Sequence, residues 1–503
     1  MTSQSHNAQK AAVIGGGLGG LAAAIGLASR GFEVDLFEKN SHLGGKLNEL
    51  TKDGFTFDLG PSILTLPHIF RNTFEQADRR MDDYVQLQPV RPHWRNFFED
   101  GTTVDLDPDL EVMEHELQKL GADLEKPFHE FLTYSKTQYD LVAEGYFAQG
   151  VDTLSQFLRY YGPRIFKLSL FSTMEGVVKR RLPNPYLQDI FNFFIKYVGS
   201  SATRAPGFMN LLPHIQFGYD LWYVKGGMHN LAKGLESLLR ELGGQIHLNT
   251  EVERIPTEKR CAKGVIADGE LFEADWVVSN MEVIPACKTL LDEDERSMDK
   301  LRKFEPTCSG LVLDIGVDCV YKNLAHHNFF YSANQQEHFR SVFEKKKLPE
   351  DPTLYVVACS RSNPAVAPEG HDNIKILPHI PYINNDHPYT NNDYMAFKER
   401  ILEKLERMGL EDLRKHIITE HVWTPHDIRQ MYFSNSGSIY GVVADRWKNY
   451  AFKAPRHSKK YDNLFFVGGS TNPGGGMPMV TLSGQLAAQE IEAKAAKVFS
   501  RQT

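Results

Sequence analysis

The stretch that most constrains this chain is AAVIGGGLGGLAAAIGLASRGFEVDLFEKN, residues 11–40. Its apolar opening, Ala11 to Ile14, reads as a buried strand. Gly15, Gly17 and Gly20 follow in G-x-G-x-x-G spacing, then an Ala/Leu-rich helix from about Leu21 to Ser29, stopped by Gly31. A second strand, Glu33 to Phe37, delivers Glu38. The spacing predicts a strand–turn–helix–strand unit that binds a dinucleotide. Gly15 permits the tight turn, Gly17 lets backbone approach a pyrophosphate, and Gly20 lets the helix pack against its strand. Leu18 and Gly19 belong to the same loop, where free N–H groups and the helix dipole favour an anion. Glu38, 18 positions past Gly20, is placed to accept bonds from both ribose hydroxyls. The competing reading is a Gly-rich strand-to-helix turn inside a core.

A chain of 503 residues exceeds one ordinary core, so two or three lobes are expected. Its 42% hydrophobic and 24% charged content is that of a globular protein. A net charge of −8 gives no support to nucleic-acid binding. The five cysteines, Cys261, Cys287, Cys308, Cys319 and Cys359, form no C-x-x-C pair. They read as buried small apolar residues in a reducing compartment, with neither a disulfide framework nor a metal site. The first ten residues lack the pattern of a secretory signal, and no window offers ~18 uninterrupted apolar residues for a spanning helix. The expectation is a cytoplasmic protein, soluble or bound to a surface.

Beyond Glu38, Gly44 and Gly45 permit a tight loop from which Lys46 can reach phosphates. Phe55, Phe57 and Leu59 alternate as in a strand, which Gly60-Pro61 breaks into an apolar loop suited to lining a cavity. Residues 94–106 read as a hairpin turning at Asp100-Gly101. From 108 to 215 the pattern is helical and rich in aromatics. Within it, residues 162–201 mix bulky apolar groups with Arg164, Lys167, Lys179, Arg180 and Arg181. Two readings stay open there: an amphipathic face lying in a membrane interface, or a helical subdomain packing inward. The α/β rhythm returns from 221, and strand Gln245 to Asn249 is expected to extend the first parallel sheet. A nucleotide-binding domain discontinuous in sequence follows from that. The blocks are 1–107, 216–289 and 426–503 for this domain, 108–215 for the helical subdomain and 290–425 for a mixed-sheet substrate domain.

Near the end, strand Leu464 to Val467 runs into GGSTNPGGGMP, five glycines and two prolines in eleven residues, 468–478. A helix from about Met479 follows. This second glycine-rich junction aims another helix N-terminus at a cofactor. A flavin suits it, because the N1–C2=O edge gathers negative charge on reduction.

With both junctions in place, the chain resembles the bacterial carotenoid desaturase/oxygenase family of FAD-dependent, amine-oxidase-like flavoproteins. The motifs are the fingerprint, GGK at Gly44 to Lys46, FDLGPSI at Phe57 to Ile63, VKGGM at Val224 to Met228, and GGSTNPGGGMP at Gly468 to Pro478. GPSILTLP, FIKYVGSS, SNMEVIP, LAHHNFF and ILPHIPYI bring it nearest to the branch that oxidises terminal methyl groups of C30 carotenoids. Lys46 departs from the arginine of many relatives and offers a point charge without a fork. The resemblance implies an α/β, Rossmann-like FAD-binding fold, FAD without a metal, a long polyene in an apolar tunnel, and attachment to the inner membrane face. It places the pyrophosphate at Gly15, Gly17, Leu18, Gly19 and Gly20, the ribose at Glu38 and the adenine edge near Val252. It sets the flavin ring between Gly60-Pro61 and the block containing Gly468, Gly469 and Met479.

No Ser/His/Asp set, H-E-x-x-H or paired carboxylates appear, as suits hydride removal from a polyene whose cation is self-stabilised. Adjacent His326 and His327 read as one core and one surface residue. His379 and Tyr382 read either as tunnel lining or as packing. The leading expectation is oxidation of a terminal methyl to an aldehyde. A desaturase, an amine oxidase on the same fold and a non-catalytic polyene carrier are the alternatives.

Overall fold

In a computed structural model describing residues 8–502 except 149, 385 and 387, the fingerprint strand Lys10–Ile14 is central to a five-stranded sheet. The strand order is Leu464–Phe466, Trp276–Ser279, Lys10–Ile14, Glu33–Phe37, Gln245–His247, and every neighbouring pair is parallel. The discontinuity expected from the sequence is therefore physical, because one sheet collects strands from both ends and the middle of the chain.

Side chains alternate across this sheet. Ala11 and Val13 join a core with helices Leu18–Ala28, Asn230–Glu241 and Met477–Gln502, whereas Ala12 and Ile14 face Val252, Val265 and Ala267 of a small antiparallel sheet. Both faces are covered, which explains why the strand reads as a continuous apolar run. Helix Leu18–Ala28 lies against Met477–Gln502, with small residues such as Ala23, Ala24, Ala487 and Ala488 in the shared core. The first helix starts at Leu18 and the last at Met477, each a little earlier than the sequence suggested.

The second sheet runs Ile417–Trp423, Val312–Val317, Asp372–Ile380, Leu354–Val357, His327–Phe330, Trp94–Phe97, Thr103–Leu106, with Ser309–Gly310 added beside Asp372–Ile380. It is antiparallel except where His327–Phe330 meets Trp94–Phe97. Helix Asn391–Arg407, opened by a Thr390/Asp393 capping box, covers one face through Tyr394, Phe397, Ile401 and Leu405. Tyr355 and Phe329 point the other way, toward the helical segment.

The hairpin at 94–106 forms, but it belongs to this second sheet and not to the nucleotide-side sheet of the block 1–107. Aromatic packing holds it there: Phe97 stacks on Phe330 at 4.5 Å and Trp94 lies 4.5 Å from Phe329. Among the described residues no helix is long and apolar enough to cross a membrane. The cysteines are all free, and only two match the expectation of burial. Cys308 and Cys359 are buried, Cys287 and Cys319 half-buried, and Cys261 exposed in a two-stranded turn.

Candidate active site

Gly15 has φ +90°, a conformation that side chains disfavour, and its N–H donates to Phe37 O at 2.8 Å. A Cβ on Gly20 would collide with the Gly15 carbonyl, so this glycine brings helix and loop together. Helix Leu18–Ala28 begins with no side-chain cap, which leaves its first N–H groups available to a ligand. Glu38 is buried. Its carboxylate accepts from the backbone N–H of Gly16 at 2.8 Å and from the Asn40 N–H and Nδ2 at 2.9 and 2.8 Å. Oε1 already accepts two of these bonds and Oε2 one, so Oε2 keeps capacity for a ribose hydroxyl.

These groups line a cavity of about 460 Å³. The walls include Gly15, Gly17, Leu18, Gly19, Glu38, Lys46, Gly60, Pro61, Val252, Gly468 and Gly469, residues drawn together from five parts of the sequence. Gly20 sits behind the loop. Met479 lines a different cavity, because the last helix begins two residues earlier and Met477 takes the position at its mouth.

Lys46 lines the first cavity, but its contacts are with protein. Its Nζ donates to the Ser438 and Ile439 carbonyls, both at 3.1 Å, and lies 3.7 Å from Glu282. Burial lowers the Lys46 pKa against the pull of Glu282. The lysine ties the GGK loop to the loop that follows the short helical turn Asn435–Gly437.

A second cavity, also about 460 Å³, is walled by Ile63, Leu66, Phe147, Phe157, Ile165 and Phe208, among others. Gly60, Pro61, Lys375, Leu377, Tyr440 and Gly475 to Met477 line both cavities, so the two meet at one wall. The apolar loop after Phe57 is therefore cavity lining. Lys375, on strand Asp372–Ile380, holds this loop in place. Its buried Nζ donates to Asp58 O at 2.7 Å, to Ser62 Oγ at 2.8 Å and to Gly60 O. Burial depresses its pKa, opposed by Asp314, Asp58 and Cys359.

At its far side the second cavity is walled by exposed apolar groups: Leu154, Phe171, Trp447 and Tyr450. Phe171 is 82% exposed and Trp447 70%. Phe166 and Leu158 stand exposed on the same helical segment, alongside exposed Arg159, Arg164 and Lys167.

His379 and Tyr382 line neither cavity. His379 packs edge-on to Tyr440 at 6.1 Å, and the Tyr382 hydroxyl donates to Glu305 at 3.3 Å. His326 and His327 are both buried, their rings 4.3 Å apart, which overturns the one-in, one-out reading. His326 precedes the strand and is not on it, so strict alternation does not apply. Burial holds both imidazoles well below their ordinary pKa. Asp318, Cys319 and His416 form a cluster of metal-ligand type that lines neither cavity.

Sequence reasoning missed three residues of this site. Asn280 follows strand Trp276–Ser279 and braces the fingerprint loop, and its Nδ2 would lie 2.7 Å from a Cβ on Gly17. Its signal was a polar residue directly after a buried strand. Tyr440 forms part of the shared wall, and nothing local marks it. Lys196 lines the second cavity, and its signal was a lone lysine in the apolar run FNFFIKYV.

A discontinuous parallel sheet, a glycine loop over a buried carboxylate and a second glycine-rich helix start are together the frame of a flavin-dependent oxidoreductase. Residues 18–492 match the family described as flavin containing amine oxidoreductase, and the chain belongs to that family. It is 55% identical to 4,4'-diapolycopene oxygenase of Methylomonas sp over 97% of this chain and 99% of the relative. It is 50% identical to 4,4'-diaponeurosporene oxygenase of Staphylococcus aureus strain MRSA252, over 96% of this chain and 98% of the relative. In architecture it is similar to an oxidoreductase from Methanosarcina mazei, with TM-score 0.63 and 16% identity, covering 96% of this chain and all of the other (100%). Putrescine oxidase gives TM-score 0.65 at 14% identity, covering 96% of this chain and 99% of the other.

Proposed function

We propose that this flavin-dependent oxidoreductase binds FAD and oxidises a terminal methyl group of a C30 carotenoid, of the diaponeurosporene type, to the aldehyde. The observation that carries the reading is the shared wall, where an apolar cavity opens against the glycine-lined cavity at Gly60, Pro61 and Gly475 to Met477. The residues present suit FAD. Glu38 would meet the adenosine ribose, Gly15 to Gly20 would receive the pyrophosphate, and Val252 would border the adenine. Gly60-Pro61 and Gly475 to Met477 would hold the ring. A bound flavin supplies hydride acceptance. The chain's own part is to hold the polyene end at that wall, keep water out and fix the loop through Lys375. The names of the two oxygenase relatives support the choice of substrate class.

The cavity mouth supports attachment to a membrane. Phe166, Phe171, Leu158 and Trp447 can enter the acyl boundary while Arg159, Arg164 and Lys167 meet anionic head groups. A polyene dissolved in the bilayer then enters without crossing water. Sedimentation with vesicles containing anionic lipid should be lost in Phe166→Ser/Phe171→Ser, with flavin content unchanged.

Expression in cells that make C30 polyenes, followed by chromatography and mass spectrometry, tests the reaction. A gain of one oxygen with loss of two hydrogens at a chain end is the expected product. Loss of two hydrogens alone identifies a desaturase and overturns the reading.

A further inference from the structure

Lys196 lies in the short helical turn Phe194–Val198 and is 5% exposed. Among the described residues its Nζ makes no hydrogen bond and no ion pair. Four aromatic rings surround it instead: Tyr355 at 4.1 Å, Tyr197 and Phe329 each at 4.7 Å, and Trp94 at 5.0 Å. A polar head buried without an acceptor is costly, and fixed lysines are ordinarily paired. Lys375, by comparison, has an acceptor for each of its three protons.

The same residue lines the apolar cavity near its inner end. Tyr355, the nearest ring, pairs in the sheet with Leu377 of the shared wall. A Cβ on Gly199, three residues beyond Lys196, would meet Tyr440 of that wall. A hydrocarbon polyene offers Nζ nothing. Once its terminal carbon bears oxygen, it offers a hydrogen-bond acceptor.

We propose that Lys196 donates a hydrogen bond to the oxygen of the oxidised polyene terminus, and so retains the alcohol stage until it becomes aldehyde. The inference rests on the polyene reading above and assigns one residue the selection of oxygenated over hydrocarbon ends. An ammonium and a free amine both donate, so it does not depend on which form is present. The aromatic cage alone could be a packing device, in which case an apolar replacement weakens the fold and leaves selectivity unchanged.

The test uses the purified holoenzyme with its flavin reduced, so that bound polyene is not turned over. Tryptophan quenching measures affinity for three linear polyenes of one length, ending in methyl, hydroxymethyl and aldehyde. Wild type should prefer the two oxygenated forms about tenfold, the scale of one hydrogen bond from a charged or desolvated donor. In Lys196→Met that preference should vanish, methyl-ended affinity should be kept or raised, and the melting temperature should not fall. In cells the same variant should release more terminal alcohol relative to aldehyde. Lys196→Leu provides a second apolar variant should the first fail to fold. An unchanged oxygenated-to-methyl ratio in either folded variant overturns the inference while leaving the polyene reading intact. Failure of wild type to bind the methyl-ended polyene overturns that reading, and the inference with it.

Discussion

The nucleotide cavity and the apolar cavity have the same volume, about 460 Å³ each, and are built by opposite means. The fingerprint end of the first is mostly backbone, glycines and a helix start with the buried Glu38 carboxylate, and that end is fixed by a motif of 24 residues from Gly15 to Glu38. The second is made of side chains from helices and the mixed sheet, which form no motif by themselves, closed by the last glycine block, which does. A backbone site tolerates little and is legible locally. A side-chain site tolerates substitution of shape and is decided by what the tertiary fold brings together. The shared wall is where the two kinds of specification meet, and Lys375 secures it from behind.

Separate damage to each cavity should separate the two functions. The largest effect is expected from Phe208→Glu, which places a carboxylate in the apolar cavity. Polyene conversion should drop roughly a hundredfold, given the cost of an unpaired charge against an apolar ligand. Flavin absorbance per protein should be unchanged, and its loss would show that the cavities are not separable. Glu38→Ala is the converse. It removes the carboxylate proposed to meet the ribose and also orphans the Gly16 and Asn40 N–H groups, so flavin affinity should weaken about tenfold or more. Equilibrium dialysis against FAD checks this, and excess FAD should restore polyene conversion.

The smallest effect is on stability. Lys453 lines the apolar cavity with its Nζ enclosed and unpaired, and burial pulls its pKa from 10.5 down to about 7. Between those values the unfolded chain holds a proton that the folded chain has lost, so this residue makes stability rise with pH across that window. Stability from this source is fully present above 10.5 and lost as pH falls toward 7. Lys453→Met should therefore raise the melting temperature by several degrees at pH 7 and much less at pH 10. An equal shift at both would assign the effect to packing.

The two cavities also differ in how far the sequence revealed them. Gly15, Gly17, Glu38 and the return of strands at 245 and 464 were legible because each depends on local spacing or on a run's periodicity. The fingerprint fixes its own geometry within about 30 residues, as such units do. Lys46 was read toward phosphate because charge and proximity in sequence both favoured it. It lines the cavity as that reading requires, and it also donates to the carbonyls of Ser438 and Ile439, nearly 400 residues away, a contact no local pattern announces. For His379 the sequence leaves tunnel lining and packing both open, and the sheet decides for packing, against Phe193 and Tyr440. The hairpin at 94–106 was recognised as a hairpin, but its sheet was decided by Phe329 and Phe330, which no local pattern connects to it. Sequence periodicity specifies which face is buried; it does not say against what.

Strand Lys10–Ile14 has a neighbour, Trp276–Ser279, that is itself bordered by Leu464–Phe466, and helix Leu18–Ala28 rests on Met477–Gln502. On the ribosome, the glycine loop emerges early and then waits for these partners. At roughly 5–20 residues per second, the 450 residues from Ile14 to Leu464 take on the order of half a minute or longer. Throughout that interval an Ala-rich helix face and the edges of an apolar parallel sheet stand uncovered, a natural client surface for chaperones and proteases. Cofactor capture is thus one of the last events in this protein's synthesis, and a chain terminated shortly before 464 is a candidate for degradation before it can bind a flavin.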